Sequence, residues 1–312
     1  MIDYLEILKA THESAIACYD FIGKNDEKSS DKAAVDAMRR VLNTLDFKAR
    51  IVIGEGERDK APMLYIGEEL GASSGRVQYD IAVDPLEGTT ICAKAMPGSL
   101  SVLAITEHQG MLHAPDVYMD KIASKYPVVD LDDSVANNLK NIANFKKCPV
   151  NELTVIILNR QRHQEKIAKT RETGAKLKLI SDGDIAAIIE VALGDADLYL
   201  GIGGAPEGVL AAAALKTLGG QIMGRLIFAD ENEKNRAAKI GITDFNKKYL
   251  LNDLVSKDVI FCATGVTSGP LLEGVMRQDN KFKTQSIMLS SIDKQVLKID
   301  AYAPHNYTNS HL

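Results

Sequence analysis

The sequence predicts an α/β fold, with a mixed first half and a more regular second half. From about residue 150 onward, short apolar runs alternate with helical stretches, the rhythm of a sheet with helices on its faces. Several apolar runs end on acids and glycines, at the carboxyl ends of strands where α/β folds gather ligands. At 312 residues the chain suits one large or two closely packed domains. The change of rhythm divides it into halves, 1–150 and 151–312.

Each element has a local reason. Residues 1–22 read as an amphipathic helix and 23–31 as a polar connection. AAVDAMRRVLNTL (33–45) is a second helix, with Ser30 or Asp31 placed to cap it. RIVIG (50–54) is a short strand that runs into an acidic turn holding Glu55 and Glu57. APMLYIGEELG (61–71) starts a helix, with Pro62 near its first turn. VQYDIAVD (77–84) is a strand that ends on Asp84. Residues 99–112 alternate and turn at His108-Gln109-Gly110, as a hairpin would. The second half then gives strand 153–158, helix 163–173, strand 176–180, helix 182–193, strand 196–204 and helix 205–219. Residues 229–249 are highly charged and read as an exposed insertion. Strands over 258–269, 286–291 and 295–303 close the chain.

Bulk properties narrow the function classes. Apolar residues are 46% and charged residues 25%, an ordinary globular balance. A net charge of −5 leaves no footprint for nucleic acid or an acidic membrane surface. The N-terminus lacks a basic n-region, and no apolar run reaches membrane-spanning length, so neither a signal peptide nor a span is expected. The four cysteines are far apart with no C-x-x-C pair, which reads as buried, reduced thiols of a cytoplasmic protein.

Four acidic clusters stand where strands end or helices begin: Asp31; Glu55 with Glu57; Asp84 with Glu87; and Glu207. Taken singly, each reads as a helix cap or a solvated loop acid. Brought together they would repel unless a cation sat among them, and oxygen-only ligands suit Mg²⁺ or Mn²⁺. Gly88-Thr89-Thr90 follows Glu87 directly. That stretch reads either as a phosphate-holding turn, with Thr89 orienting a water, or as a turn resembling a capping box. GIGGAPEG (201–208) fails the dinucleotide fingerprint, because Pro206 stands where glycine is required. It fits better as a glycine-lined wall beside Glu207. Arg160 and Arg162 follow a strand and suit phosphate, or else form a charged turn. Asp182-Gly183-Asp184 suits sugar hydroxyls or a helix cap, and Tyr118 suits a sugar phosphate or packing. His113 and His163 show no metal or triad pattern.

The stretches IVIGEGERDKAPMLYIGEELG (51–71), DIAVDPLEGTT (80–90), HAPDVYM (113–119), GIGGAPEGVLAAAALK (201–216) and ATGVTSGPLLEGVMR (263–277) together resemble class II fructose-1,6-bisphosphatases. Asp84-Pro85-Leu86-Glu87-Gly88-Thr89 alone resembles the broader D-P-[IL]-[DE]-G-T signature of metal-dependent sugar and inositol phosphatases. The resemblance implies a layered αβαβα sugar-phosphatase fold with mixed sheets and two pseudo-domains sharing one active site. The first half would bind metal and phosphate and the second would complete the substrate site. It implies Mg²⁺ or Mn²⁺, a sugar bisphosphate substrate, cleavage of the 1-phosphate of fructose 1,6-bisphosphate in gluconeogenesis, and a homo-oligomer, dimer or tetramer. Carried over by position, Asp31 and Glu55 would hold one ion, and Asp84, Glu87 and Glu207 another. Glu87, Gly88 and Thr89 would meet the scissile phosphate. Tyr118, Arg160, Gln161, Arg162, Asp182, Gly183, Asp184 and Gly204 would hold the rest of the substrate. The loop before Asp31 departs from the family pattern G-R-G-D-K-N-x-A-D, with glutamate at the ungapped lysine position and Lys28 one place on.

On this reading Thr89, polarised by a carboxylate such as Glu87, aligns the attacking water, and Arg160 and Arg162 anchor the distal phosphate. The alternatives are the same chemistry on sedoheptulose 1,7-bisphosphate or an inositol phosphate, a nucleotide-dependent oxidoreductase built on GIGGAPEG, and a non-catalytic sugar-phosphate-binding regulator.

Overall fold

The structure, a computed structural model, describes residues 3–56 and 64–304. Glu57 and Pro62 lie outside the described residues. The chain forms two compact units, Met1–Met111 with Lys257–Leu312, and Leu112–Ser256. This division is discontinuous in sequence and falls elsewhere than residue 150.

The first unit opens with helices α1 (Tyr4–Ala17) and α2 (Glu27–Leu42) and strands β1 (Ala49–Ile53), β2 (Glu69–Leu70) and β3 (Tyr79–Glu87). The short helix α3 (Thr89–Ala93) and strand β4 (Leu100–Glu107) follow. The second unit carries β5 (Tyr118–Ser124), α4 (Val135–Lys146), β6 (Thr154–Leu158), α5 (Gln164–Glu172), β7 (Lys176–Ile180) and α6 (Asp184–Leu193). It continues with β8 (Leu198–Gly204), α7 (Ala205–Leu218), β9 (Gln221–Ile227), α8 (Glu231–Lys239), β10 (Lys248–Leu250) and α9 (Leu251–Leu254). The chain then returns to the first unit with β11 (Val259–Gly265), β12 (Met276–Gln278), β13 (Lys281–Ser290) and β14 (Gln295–Pro304).

The first unit's eight-stranded sheet runs β12-β13-β11-β4-β3-β1-β2, with β14 on β13. It is mixed, because β1 and β3 are parallel while β3–β4 and β4–β11 are antiparallel. Helices α1 and α2 pack on it. Ile7, Leu8, Val35, Met38, Ile51, Ile81, Leu103, Ile105 and Ile260 fill the space between, each fully buried side chain contributing about 1.5–3 kcal/mol. The second unit's sheet runs β10-β9-β5-β8-β6-β7 and is mixed as well, with β6 parallel to β7 and β8. Its core gathers Ile122, Leu139, Ile142, Val155, Ile157, Leu198 and Leu200. The α/β class with two mixed sheets is as the sequence predicts.

Several local expectations are corrected. Helix α2 starts at Glu27, because Asp26 caps it by accepting from Ser29 N at 3.0 Å. Ser30 and Asp31 therefore lie inside the helix. Residues 64–71, expected to be helical, form a turn and the two-residue strand β2, which pairs with β1. No hairpin forms over 99–112: β4 pairs with β3 on one side and with the distant β11 on the other. The charged stretch 229–249 does hold the largely exposed α8, but its end enters the sheet as β10 with Tyr249 buried. All four cysteines are free; Cys18, Cys92 and Cys262 are buried and Cys148 partly so. Burial raises the Cys92 thiol to about 11. No helix among the described residues is long and apolar enough to cross a membrane.

Candidate active site

In the first unit, the carboxyl ends of the parallel strands β1 and β3 carry Glu55 and the run Asp84–Thr89. Strand β3 does not end at Asp84 as expected; it continues through Glu87. Asp84 pairs with Val102 and Glu87 with Leu100, so three residues of advance on β3 match two on β4. Directly opposed residues share a face, and residues two apart on a strand share one as well. Val102 and Leu100 therefore face one way, and so do Asp84 and Glu87. In a regular strand, side chains three apart would face opposite ways. Pro85 sits in this bulge, where its missing N–H costs no ladder bond.

The bulge is pinned from outside. Ser99 Oγ donates to Glu87 O at 2.8 Å, and Ser99 N donates to Thr267 Oγ1 at 2.9 Å. Ser14 Oγ lies within donating reach of both Ala34 O (3.0 Å) and Pro85 O (3.1 Å), which ties α2 to the bulge one turn beyond Asp31. Gly88 then takes φ 75°, a left-handed turn in which a Cβ would come 3.0 Å from Ile91 Cδ1. Gly88 is the cap position of α3 and Thr89 its first helical residue, with no side-chain capping bond. The capping-box reading of Thr89 is thus not borne out. Gly23 N and Asn25 N donate to Cys92 O and Ala93 O at 3.0 and 2.8 Å, anchoring the loop before α2 to α3. Burial holds the Asp31 carboxyl above its usual range. Among the described residues, no group of three or more His, Cys, Asp or Glu side chains is gathered as a metal cage.

In the second unit, exposed Tyr118 begins β5. The guanidinium carbon of Arg162 lies 4.9 Å from its ring centroid, and Arg162 Nε donates to Ile202 O at 2.8 Å. Arg160 and Gln161 are exposed at the start of the same turn. His163, by contrast, is fully buried. Its Nε2 accepts from Ile202 N at 2.7 Å and its Nδ1 donates to Leu158 O at 2.8 Å. A backbone N–H can only donate, so the ring proton must sit on Nδ1. Burial pushes this imidazole below its ordinary value. His163 therefore belongs to no metal site; it clamps the Arg160–Arg162 turn onto β8.

Gly183, at φ 94°, caps α6, so neither Asp182 nor Asp184 does. Asp182 Oδ1 accepts from Gly183 N at 3.1 Å. Asp184 is 6% exposed and its Oδ2 lies 2.6 Å from Lys121 Nζ. Glu207, in the first turn of α7, lies against Gly204, where a Cβ would overlap its carboxylate. Burial raises Glu207's pKa; Lys121 opposes that rise, while Asp184 and Asp182 add to it. Gly203 and Gly204 of GIGGAPEG thus make room for Asp184 and Glu207. Sequence reading missed Lys121 and the His163 clamp. A lysine inside the strand-like YMDKIAS run was the one available signal for the former.

A family model described as bacterial fructose-1,6-bisphosphatase, glpX-encoded, matches residues 3–303. A protein of Trichodesmium erythraeum (strain IMS101) is 41% identical over 95% of this chain and 94% of its own length. Another, of Synechococcus sp. (strain JA-2-3B'a(2-13)), is 42% identical over the same shares. Both carry the name D-fructose 1,6-bisphosphatase class 2/sedoheptulose 1,7-bisphosphatase. Among solved structures, an inositol monophosphatase from Anabaena (Nostoc) sp. PCC 7120 aligns with TM-score 0.36 and 15% identity over 64% of this chain and 74% of that one.

Proposed function

The chain belongs to the bacterial fructose-1,6-bisphosphatase family, and on that premise we propose how its residues divide the work. The reaction is hydrolysis of the 1-phosphate of fructose 1,6-bisphosphate, giving fructose 6-phosphate and phosphate. The observation that carries the assignment of residues is the bulge in β3, which turns Asp84 and Glu87 to one face just before left-handed Gly88 and Thr89.

The side chains proposed to hold the ion are not gathered into a cage among the described residues, and it is their donor chemistry that suits a hard divalent ion. Asp31, Glu55, Asp84, Glu87 and Glu207 offer only carboxylate oxygens. Burial makes the charged forms of Asp31 and Glu207 costly, a cost that a cation offsets. Such an ion, Mg²⁺ or Mn²⁺ on this reading, would lower the pKa of a bound water and neutralise phosphate charge. The chain's own residues do the rest. Gly88 lets the backbone approach the scissile phosphate. Thr89 orients the water, with Glu87 accepting from its hydroxyl. Arg160 and Arg162 hold the 6-phosphate, Gln161 flanks them, and Tyr118 backs Arg162. Asp182, Gly183, Asp184 and Gly204 meet the sugar. Because the transition state is loose, positioning and charge supply most of the acceleration.

The same reading includes gluconeogenesis in the cytoplasm, assembly as a dimer or tetramer, and a functional division near residue 150. Sedoheptulose 1,7-bisphosphate is a second substrate reading, since the relatives' names carry both activities. The test is phosphate release from fructose 1,6-bisphosphate, sedoheptulose 1,7-bisphosphate and inositol 1-phosphate, each with Mg²⁺ and Mn²⁺. Release from the fructose bisphosphate, abolished by chelation, is expected. Release from inositol 1-phosphate alone, or unchanged release under chelation, would overturn it.

A further inference from the structure

Strand β5 carries a lysine with no contact with solvent. Lys121 is 0% exposed. Its Nζ donates to Gly204 O at 2.9 Å and lies 2.6 Å from Asp184 Oδ2. An ammonium out of water is costly unless its charge and its N–H groups are met. Here the Gly204 carbonyl accepts an N–H and the Asp184 carboxylate meets the charge as an ion pair, without a hydrogen bond at Oδ2. The surrounding backbone is shaped to the pair. A Cβ on Gly203 would overlap Asp184 Oδ2 and come 3.1 Å from Lys121 Nζ, and one on Gly208 would come 3.2 Å from Lys121 Cδ. Glycine at both positions leaves the lysine its channel.

Enclosure also means that Lys121 cannot touch a substrate. Its partners are another matter, because Asp184 and Gly204 both stand among the residues assigned to the sugar. We propose that Lys121 is a positioning residue for the phosphatase reaction: anchored on the Gly204 carbonyl, it fixes the Asp184 carboxylate in the orientation that receives the sugar. This rests on the proposed function above. It explains why a fold would keep a buried charge pair where an apolar pair would fill the same space with less desolvation.

The test is a double-mutant cycle of Lys121→Met and Asp184→Asn, read as KM and kcat for fructose 1,6-bisphosphate alongside thermal unfolding. Wild-type turnover is measured first; its absence overturns the proposed function rather than this inference. Lys121→Met is expected to raise KM about tenfold, the scale of one charge-assisted hydrogen bond, with kcat less affected. The double variant carries a neutral pair. It is expected to recover the unfolding temperature lost in Lys121→Met, yet to match Asp184→Asn alone in KM within about threefold, the non-additivity of groups acting through one another. A purely structural lysine predicts instead that a folded Lys121→Met keeps the wild-type KM. An unmoved KM in a folded Lys121→Met, or a double variant whose KM is the product of the two single effects, would overturn the inference. Should Lys121→Met fail to fold, Lys121→Arg decides: it keeps the charge but changes the head group that meets Asp184 and Gly204 O, so KM is expected to rise about threefold or more, and a wild-type KM in the folded variant would overturn the inference.

Discussion

His163→Phe removes two hydrogen bonds while keeping a flat ring in the same enclosed place. The His163 ring accepts from Ile202 N at 2.7 Å and donates to Leu158 O at 2.8 Å. Leaving Ile202 N–H without a partner costs about 1–3 kcal/mol, and losing the bond to Leu158 O, which keeps Arg160 N at 2.9 Å, costs about 1 kcal/mol, so the loss is about 2–4 kcal/mol. At about 2 °C per kcal/mol for a chain of this size, that lowers the unfolding midpoint by roughly 4–8 °C. Ile202 O also accepts from Arg162 Nε, so the variant loosens the turn that presents Arg162. KM for the bisphosphate is expected to rise more than kcat falls. A pH signature accompanies this. Burial depresses the folded-state pKa of His163 below its ordinary value, so below about pH 6.5 the unfolded chain binds a proton that the native ring refuses. The ring's contribution is thus full above that pH and is lost as pH falls through the window beneath it. The stability gap between wild type and His163→Phe should narrow at pH 5.5 relative to pH 7.5. Thermal unfolding at both pH values checks it; a midpoint within 1 °C of wild type, or a gap that does not change with pH, would refute the clamp.

Thr89→Ala should still bind Mn²⁺ and fructose 1,6-bisphosphate by calorimetry, while kcat falls by about 10²–10⁴, the range of a lost proton-handling group; near-normal turnover removes Thr89 from the chemistry. Arg162→Gln should raise KM for the bisphosphate through the loss of about 1.5–3 kcal/mol of charged hydrogen bonding, with little change for a monophosphate substrate. An equal loss for both substrates would argue against its holding the 6-phosphate. Gly203→Ala puts a methyl group into the Lys121–Asp184 pair, and overpacking of that kind costs about 1–3 kcal/mol. Calorimetric unfolding indistinguishable from wild type would show that the pair can yield.

The regular second half was the most legible part of the fold. Strands and helices from 154 to 218 sit close to where apolar period and glycine punctuation placed them, because each βα step is encoded within a dozen local residues. The acids and arginines of the candidate site were legible as residue types for the same reason: D-P-L-E-G-T and GIGGAPEG are contiguous. Helix α2's start was missed because Asp26, Ser30 and Asp31 are all competent caps, and only backbone geometry chooses among them. The expected hairpin over 99–112 does not form because β4's second neighbour, β11, lies some 150 residues away in sequence.

By itself the sequence determined the fold class and the family, and named the side chains proposed to carry the chemistry. Which way those side chains point was decided by tertiary structure. Asp84 and Glu87 share a face because Val102 and Leu100 across the ladder force an extra residue into β3, a parity that no local pattern contains. Lys121 is buried, and His163 is held at both ring nitrogens, because the strands and turns around them bring Asp184, Gly204, Leu158 and Ile202 into reach. A buried charge is tolerable only when its partners arrive with it. Those partners come from 5 to 83 residues away along the chain, so the burial could be settled only once the sheet had formed.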